Sequence, residues 1–283
     1  MTFVEPLTAE HAALHALLPK VLHRGTQTHP DMQALSAALD ELYGGSIQPI
    51  LRKKGEVQCI GFWGSFLDEA FLPAGTSILE EATALLGELV LAPAGERGTF
   101  VPAYVDSEKK NLIDQIRAQL NDKLQYAMAR LRGQMCQGEA YGLDKLGTEA
   151  QANAITGEAL YTRYREMLAQ APVYLYYCGS ADPARVEVAF RAAFAGLPNG
   201  ERRPVPQTQV VNSPAGPVRR FQDAMDVGQG KLILGFRTGG SFRSQESIAR
   251  GLLFNAIYGG TTTSKLFLHV REKLSLCYLP TPL

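Results

Sequence analysis

The chain has 283 residues, 46% hydrophobic and 20% charged, enough apolar material for a sizeable core and for two domains of roughly 140 residues each. Lysine plus arginine equals aspartate plus glutamate at 28 each, so no nucleic-acid footprint is expected, and Arg202-Arg203 and Arg219-Arg220 read as solvated surface pairs. MTFVEPLTAEH lacks the pattern of a signal peptide, no apolar run is long enough for a membrane span, and Cys59, Cys136, Cys178 and Cys277 form no CxxC, so a cytoplasmic protein with buried free thiols is expected.

Thr2 to Pro6 reads as a short strand, and Thr8 with Glu10 opens the first helix. Through LHALLPKVLHRGTQT, Leu14, Leu17, Leu18, Val21 and Leu22 recur at helical spacing and lay one apolar stripe. Gly25 is expected to end this helix in the left-handed conformation. Pro19 removes one backbone hydrogen bond inside it and predicts a kink, at a cost of about 3 kcal/mol. Pro30 begins a second helix whose inner face is Met32, Leu35, Leu39 and Leu42. Ser46 to Arg52 and Glu56 to Phe66 form a hairpin turning at Lys53-Lys54-Gly55. Ile78 to Leu91 is a third helix. Ser107 to Gln137 is a long one, with Leu112, Ile116, Leu120, Leu124, Ala127 and Leu131 inward. Gly157 to Ala169 is helical, Val173 to Cys178 is a buried strand, and Pro183 to Phe194 is a helix behind it.

Leu197 to Pro217 is rich in proline and poor in apolar residues, so the organisation expected is a domain over 1–196, a linker over 197–217 and a second domain over 218–283. The second part offers strands at Val218 to Phe221 and Lys231 to Phe236, then helices at Gln245 to Ile257 and Ser264 to Lys273. Strands and helices mix without strict alternation, which predicts an α+β fold with largely antiparallel sheets. LLFNAIYGGTTT, Leu252 to Thr263, aligns without gaps on Leu17 to Thr28 and repeats Leu17, Leu18, Gly25, Thr26 and Thr28 as Leu252, Leu253, Gly260, Thr261 and Thr263. That points to duplicated halves.

The LLPKVLHRGTQTHP turn, the SEKKNLIDQI helix, KLGTEAQANAITGEALYTRYREML, VYLYYCGSADPARVEVAFRAAF and GGTTTSKLFLHVREKLSLCY together resemble the insulinase-like (pitrilysin, processing-peptidase) metallopeptidase family over nearly the whole chain. The resemblance implies duplicated α+β halves closing around a peptide. In active members the helix before Gly-Thr carries His-x-x-Glu-His, whose histidines hold zinc while the glutamate activates water, and a later helix adds a third ligand. Counting back from Gly25, those positions fall on Ala16, Pro19 and Lys20, and the third-ligand position falls on Gln115. None keeps its role, so no metal or other cofactor is expected. The form is most similar to bacterial non-catalytic members, of the type associated with modification of elongation factor P.

His11 and His15 are also four apart, but out of register with Gly-Thr, and are expected on an exposed helix face. Lys20 is expected to pair with Glu108. In the second half, Arg271 and Tyr278 match the pair with which family members hold a substrate backbone; the bland alternative is a salt bridge near Glu272 and a packed tyrosine. Full members of the family have a further strand before Thr2 and continue past Tyr278, so LPTPL is expected to end within an incomplete second half. The function implied is an inactive subunit that completes a peptide chamber with a zinc-bearing paralogue, with no membrane or nucleic-acid partner. The alternatives are a stand-alone scaffold or peptide-binding module and, behind it, an active zinc-dependent endopeptidase.

Overall fold

A computed structural model describes residues 1–73, 75–96, 98–207, 216–237 and 244–278. Strand β1 (Thr2–Pro6) is followed by helices α1 (Ala12–Leu22) and α2 (Met32–Glu41) and by strands β2 (Ser46–Lys54) and β3 (Val57–Ser65). β2 and β3 form the expected hairpin, turning at Gly55-Glu56, and β1 pairs antiparallel with β3 from Thr2↔Gly61 to Pro6↔Val57. With β4 (Val173–Tyr174) on the free side of β1, the sheet order is β2-β3-β1-β4, antiparallel throughout. The fold is α+β.

α1 lies against β2 and β3, and Ala16, Leu17 and Leu18 are fully excluded from solvent. The helix runs unbroken through Pro19. Gly25 departs from expectation: it does not take positive φ. A Cβ at that position would stand 2.5 Å from the Pro30 carbonyl oxygen and 2.8 Å from that of His29, so the turn needs glycine for close backbone approach. The turn is pinned where Thr26 N–H donates to His29 O at 2.7 Å and Ala94 N–H to Gly25 O at 3.0 Å. Glu88, on α3 (Leu79–Leu91), accepts from Thr26 Oγ1 at 2.7 Å, from Thr28 N at 3.1 Å and from Thr28 Oγ1. Burial pushes the Glu88 carboxyl up, but these bonds and the neighbouring His29 outweigh it and hold the pKa below the usual value.

The single long helix expected over Ser107 to Gln137 is two: α4 (Pro102–Ala118) and α5 (Lys123–Met135). Asp122 makes the restart, its carboxylate accepting from Leu124 N at 3.1 Å and Gln125 N at 3.0 Å. The expected inner face therefore stops early: Leu112 is buried, whereas Leu120 and Leu124 are exposed. α6 (Glu149–Ala154) and α7 (Gly157–Gln170) follow, then β4, which is far shorter than expected. Tyr174 already faces Thr2, so Leu175 to Cys178 run past the start of β1, and Cys178 is exposed. α8 (Pro183–Ala193) packs on α3, clasped by Arg185 between Glu69 and Glu80, each at 2.6 Å.

Arg202 and Arg203 are anchored rather than solvated: Arg202 Nη1 donates to Leu168 O at 2.6 Å, and Arg203 N–H to Gln170 O at 2.7 Å. Residues 208–215 of the expected linker lie outside the described residues, as do residues 279–283, which hold LPTPL. Neither expected strand, at Val218 to Phe221 or Lys231 to Phe236, forms a ladder; Val218, Leu232, Leu234 and Phe236 are exposed. The compact units are Met1–Leu234 and Gly235–Leu283. Within the second, α9 (Gln245–Asn255) passes into a π-helical turn, Ala256–Gly260, and another π-helical stretch spans Phe267–Lys273. Among the described residues no helix is long and apolar enough to cross a membrane.

Gly25→Ala is expected to destabilise the chain by about 1–3 kcal/mol, the scale of forcing a carbon into packed backbone. Gly157→Ala is the control: its added carbon meets nothing within 4 Å. Equal denaturation midpoints for the two variants would refute the close-approach account of Gly25.

Candidate functional site

The seam between α1 and α4 gathers the positions that the family resemblance marks. Ala16 presents a methyl group with no solvent exposure, and Pro19 is buried on the same helix. Lys20 is half-buried at the rim, where its Nζ donates to Gln115 Oε1 at 2.6 Å. The second-histidine and third-ligand positions thus meet directly, as a cation and a neutral amide. A zinc ion needs lone pairs from several convergent ligands. Here the ligand positions hold a methyl, an ammonium with no lone pair, and an amide whose oxygen is bonded to that ammonium, with a prolyl ring in place of the base, so the residues do not fit the metal. Among the described residues no three His, Cys, Asp or Glu side chains gather closely enough to hold an ion.

Glu108 is not the ion-pair partner of Lys20. Arg24, one helical turn beyond Lys20, takes it at 3.2 Å, and Asn111 Nδ2 donates to its other oxygen at 3.2 Å. Tyr104 decides this competition: its ring lies 5.1 Å from the Arg24 guanidinium carbon, and its hydroxyl donates to Pro30 O at 2.8 Å, holding Arg24 over α4. Burial lowers the Lys20 pKa, with the charge of Glu108 opposing. His23 donates Nε2–H to Ile47 O at 2.7 Å, tying the end of α1 to β2.

His15 is not on an exposed face; it is fully buried. Arg163 Nε donates to His15 Nε2 at 2.8 Å, and a guanidinium can only donate, so Nε2 is the acceptor and Nδ1 carries the hydrogen. Nδ1–H donates to Gln58 Oε1 at 2.8 Å, while Gln58 Nε2 donates to Lys145 O at 2.7 Å. Both ring nitrogens are committed, so His11 and His15 cannot act as a metal pair. Burial, followed by the charge of Arg163, lowers the His15 pKa to about 3. Beyond Arg163 lies Glu5, also fully buried, in ion pairs with Arg163 at 2.5 Å and Arg203 at 3.0 Å. This chain from Gln58 to Arg203 escaped sequence reading. Its one visible signal was an acid in the middle of an apolar strand.

In the second unit, Arg271 and Tyr278 do come together. The Arg271 guanidinium carbon lies 4.6 Å from the Phe267 ring centre and 5.6 Å from that of Tyr278, with Glu272 at 3.4 Å. Tyr278 is 78% exposed, so its phenol is open to a ligand rather than packed in a strand. The repeated turn differs in its anchor: Thr261 Oγ1 meets Thr263 Oγ1 at 3.2 Å, where Thr26 and Thr28 meet Glu88.

Residues 154–280 match the family profile described as the peptidase M16 inactive domain. Among curated proteins the chain is similar to a probable inactive metalloprotease, YmfF, of Bacillus subtilis: 38% identity over 276 residues, covering 96% of this chain and 63% of the relative. Among solved structures it is similar to a conserved protein from Enterococcus faecalis, with TM-score 0.82 and 24% identity over 99% of this chain and 65% of that one. It also resembles a peptidase M16 inactive domain from Pseudomonas fluorescens, with TM-score 0.63 and 17% identity over 98% of this chain and 63% of that one. The chain spans less than two thirds of the length of each of these proteins.

The buried neutral imidazole makes stability pH-dependent. The folded pKa of His15, about 3, lies below its ordinary 6.5, so between these values the unfolded chain takes up a proton that the native chain refuses. Stability is then full above pH ~6.5 and falls as pH falls, with a slope of up to about 1.4 kcal/mol per pH unit for one proton. Denaturant midpoints measured from pH 7 to 4 should show this slope, to which His11 and His23, also lowered by burial, add with the same sign, and His15→Gln should reduce it by the share of one proton. An unchanged slope in the variant would show that His15 does not titrate as described.

Proposed function

The chain belongs to the insulinase-like M16 peptidase family, as a homologue whose zinc-motif positions hold no ligand, and from that premise we propose that it is a catalytically inactive subunit completing a peptide-binding chamber with a zinc-bearing paralogue. The observation that carries this reading is the contact of Lys20 Nζ with Gln115 Oε1, which fills the metal position with a cation and an amide. Arg271 and Tyr278, by contrast, still lie together with Tyr278 open to solvent. Metal chemistry has been lost and a peptide-gripping pair kept. That asymmetry is what a divided active site leaves in the subunit without metal. The paralogue would supply zinc and base, while this subunit would orient the peptide carbonyl through the guanidinium and the phenol, both hydrogen-bond donors suited to a carbonyl and its developing oxyanion.

The test is co-expression with a paralogue that carries His-x-x-Glu-His, followed by size-exclusion chromatography and peptidase assay with and without chelator. The expected result is a heterodimer with chelator-sensitive activity that neither chain shows alone. Failure of the two chains to associate would overturn the chamber.

The purified chain alone is expected to hold no stoichiometric zinc by elemental analysis. One zinc per chain, lost on mutating His11 and His15, would contradict the assignment of His15 to the buried Arg163–Gln58 chain. In the heterodimer, Arg271→Ala or Tyr278→Phe is expected to leave assembly intact and lower kcat about 10²-fold or more, the scale of one lost oxyanion donor. Unchanged steady-state kinetics in both variants would reduce the pair to a structural contact.

A further inference from the structure

Lys20 is a half-buried cation without a counter-ion. Its ammonium has three N–H donors; one goes to Gln115 Oε1, and among the described residues no other hydrogen bond or ion pair reaches Nζ. The carboxylate on the same face, Glu108, is engaged by Arg24 and Asn111, and Asp114, beside Gln115, lies 4.0 Å from Arg117. Arg24 is itself underused: its Nε is buried with no partner. The seam therefore holds two cations, Lys20 and Arg24, against one carboxylate, Glu108; Arg24 is committed to that carboxylate and its unpaired Nε is closed to solvent, so the donors open to a ligand are those of Lys20. A half-desolvated charge is costly until an opposite charge reaches it, and charge-assisted bonds from an ammonium or a guanidinium are stronger than neutral ones.

We propose that the Lys20–Arg24 rim of the α1–α4 seam is a binding site for a peptide carboxylate, with Lys20 Nζ as the primary donor and Gln115 as the residue that holds it in place. The proposal rests on the peptide-binding reading above and names the chemical group which that reading leaves open. A carboxylate suits the site better than a backbone carbonyl because it supplies the missing charge as well as the acceptor. It also suits the two unspent N–H groups of Lys20 Nζ, which the two oxygens of one carboxylate can meet. The carboxylate can be the C-terminus of a peptide or the side chain of an aspartate or glutamate.

The experiment measures binding of the full chain to three unlabelled hexapeptide pools by isothermal titration calorimetry. All pools are randomised over residues other than Asp and Glu. One ends in a free carboxylate, one in an amide, and one in an amide with glutamate fixed at the penultimate position. The expected result is binding at least tenfold tighter for a carboxylate-bearing pool than for the plain amide pool. A preference for the first pool identifies the chain terminus as the ligand group, and a preference for the third identifies the side chain. Lys20→Met should bring every pool to the level of the plain amide.

Gln115→Glu separates binding from folding, because it gives Lys20 an internal counter-ion. Thermal stability should hold or rise while the carboxylate preference disappears; a purely structural Lys20–Gln115 contact would not couple the two. Equal binding of all three pools, or a preference that survives Lys20→Met, would overturn the carboxylate site and leave the peptide reading standing. No binding of any pool would also overturn the carboxylate site, while the chamber reading stands or falls with the heterodimer assay.

Discussion

Helix α1 is fixed by a buried charge. Glu5 on β1, fully excluded from water, is compensated by Arg163 from α7 and by Arg203 from the segment after α8, and Arg163 in turn fixes the tautomer of His15 on α1. Burying a carboxylate is expensive, and removing one partner of such a pair costs about 3–5 kcal/mol because the other charge is left stranded. Sheet, helix and linker entry are therefore interdependent. α1 cannot rotate about its axis without pulling His15 from Arg163. Glu5 Oε1 has no hydrogen-bond partner, so burial raises its pKa and the two guanidiniums recover only part of the cost.

This anchoring explains how the zinc motif could be lost without losing the fold. On α1 only one of the motif positions reaches the rim. Leu17, Leu18, Val21 and Leu22 are buried together with Ala16 and Pro19, whereas Lys20 stands at the rim against α4. Ala16 replaces a ligand with a methyl in a space that excludes water, which is neutral or favourable for packing. Pro19 leaves one backbone bond unmade, yet the helix continues, because the stripe on both sides of it is held by the core. Beyond the helix, Glu88 gathers Thr26 and Thr28, so the turn keeps its shape whatever occupies the motif.

The legible part of the fold was the part written in periodic apolar residues. The stripe on α1, the β2–β3 hairpin and α7 follow from spacing alone. The unread part depended on long-range polar contacts or on short breaks. Asp122 splits α4 from α5 through two backbone bonds, a local event that the continuing leucine spacing hid. Val173 to Cys178 has strand composition throughout, but only Val173 and Tyr174 pair with β1, a long-range choice that composition does not reveal. At the candidate site, the resemblance to the family placed Lys20 and Gln115 near one another, and spacing placed Glu108 on the same face of α4. Spacing could not rank two cations competing for Glu108. Tyr104 settles that in favour of Arg24, through a ring contact between residues eighty positions apart.

The outcome of that competition gives the site its character. Had Glu108 paired with Lys20, the ammonium would have been neutralised and Arg24 left as the unpaired cation of the seam. With Arg24 holding Glu108, Lys20 is left with an amide that orients the ammonium without neutralising it. A positive charge thus stands at the position that the family resemblance assigns to a zinc ligand, with no ligand set beside it among the described residues. An ammonium can attract and orient an acceptor, but it cannot lower the pKa of a bound water as zinc does. The seam therefore keeps a charge that can attract an acceptor without a group that can activate water, which is the combination that the proposed division of labour between two subunits calls for.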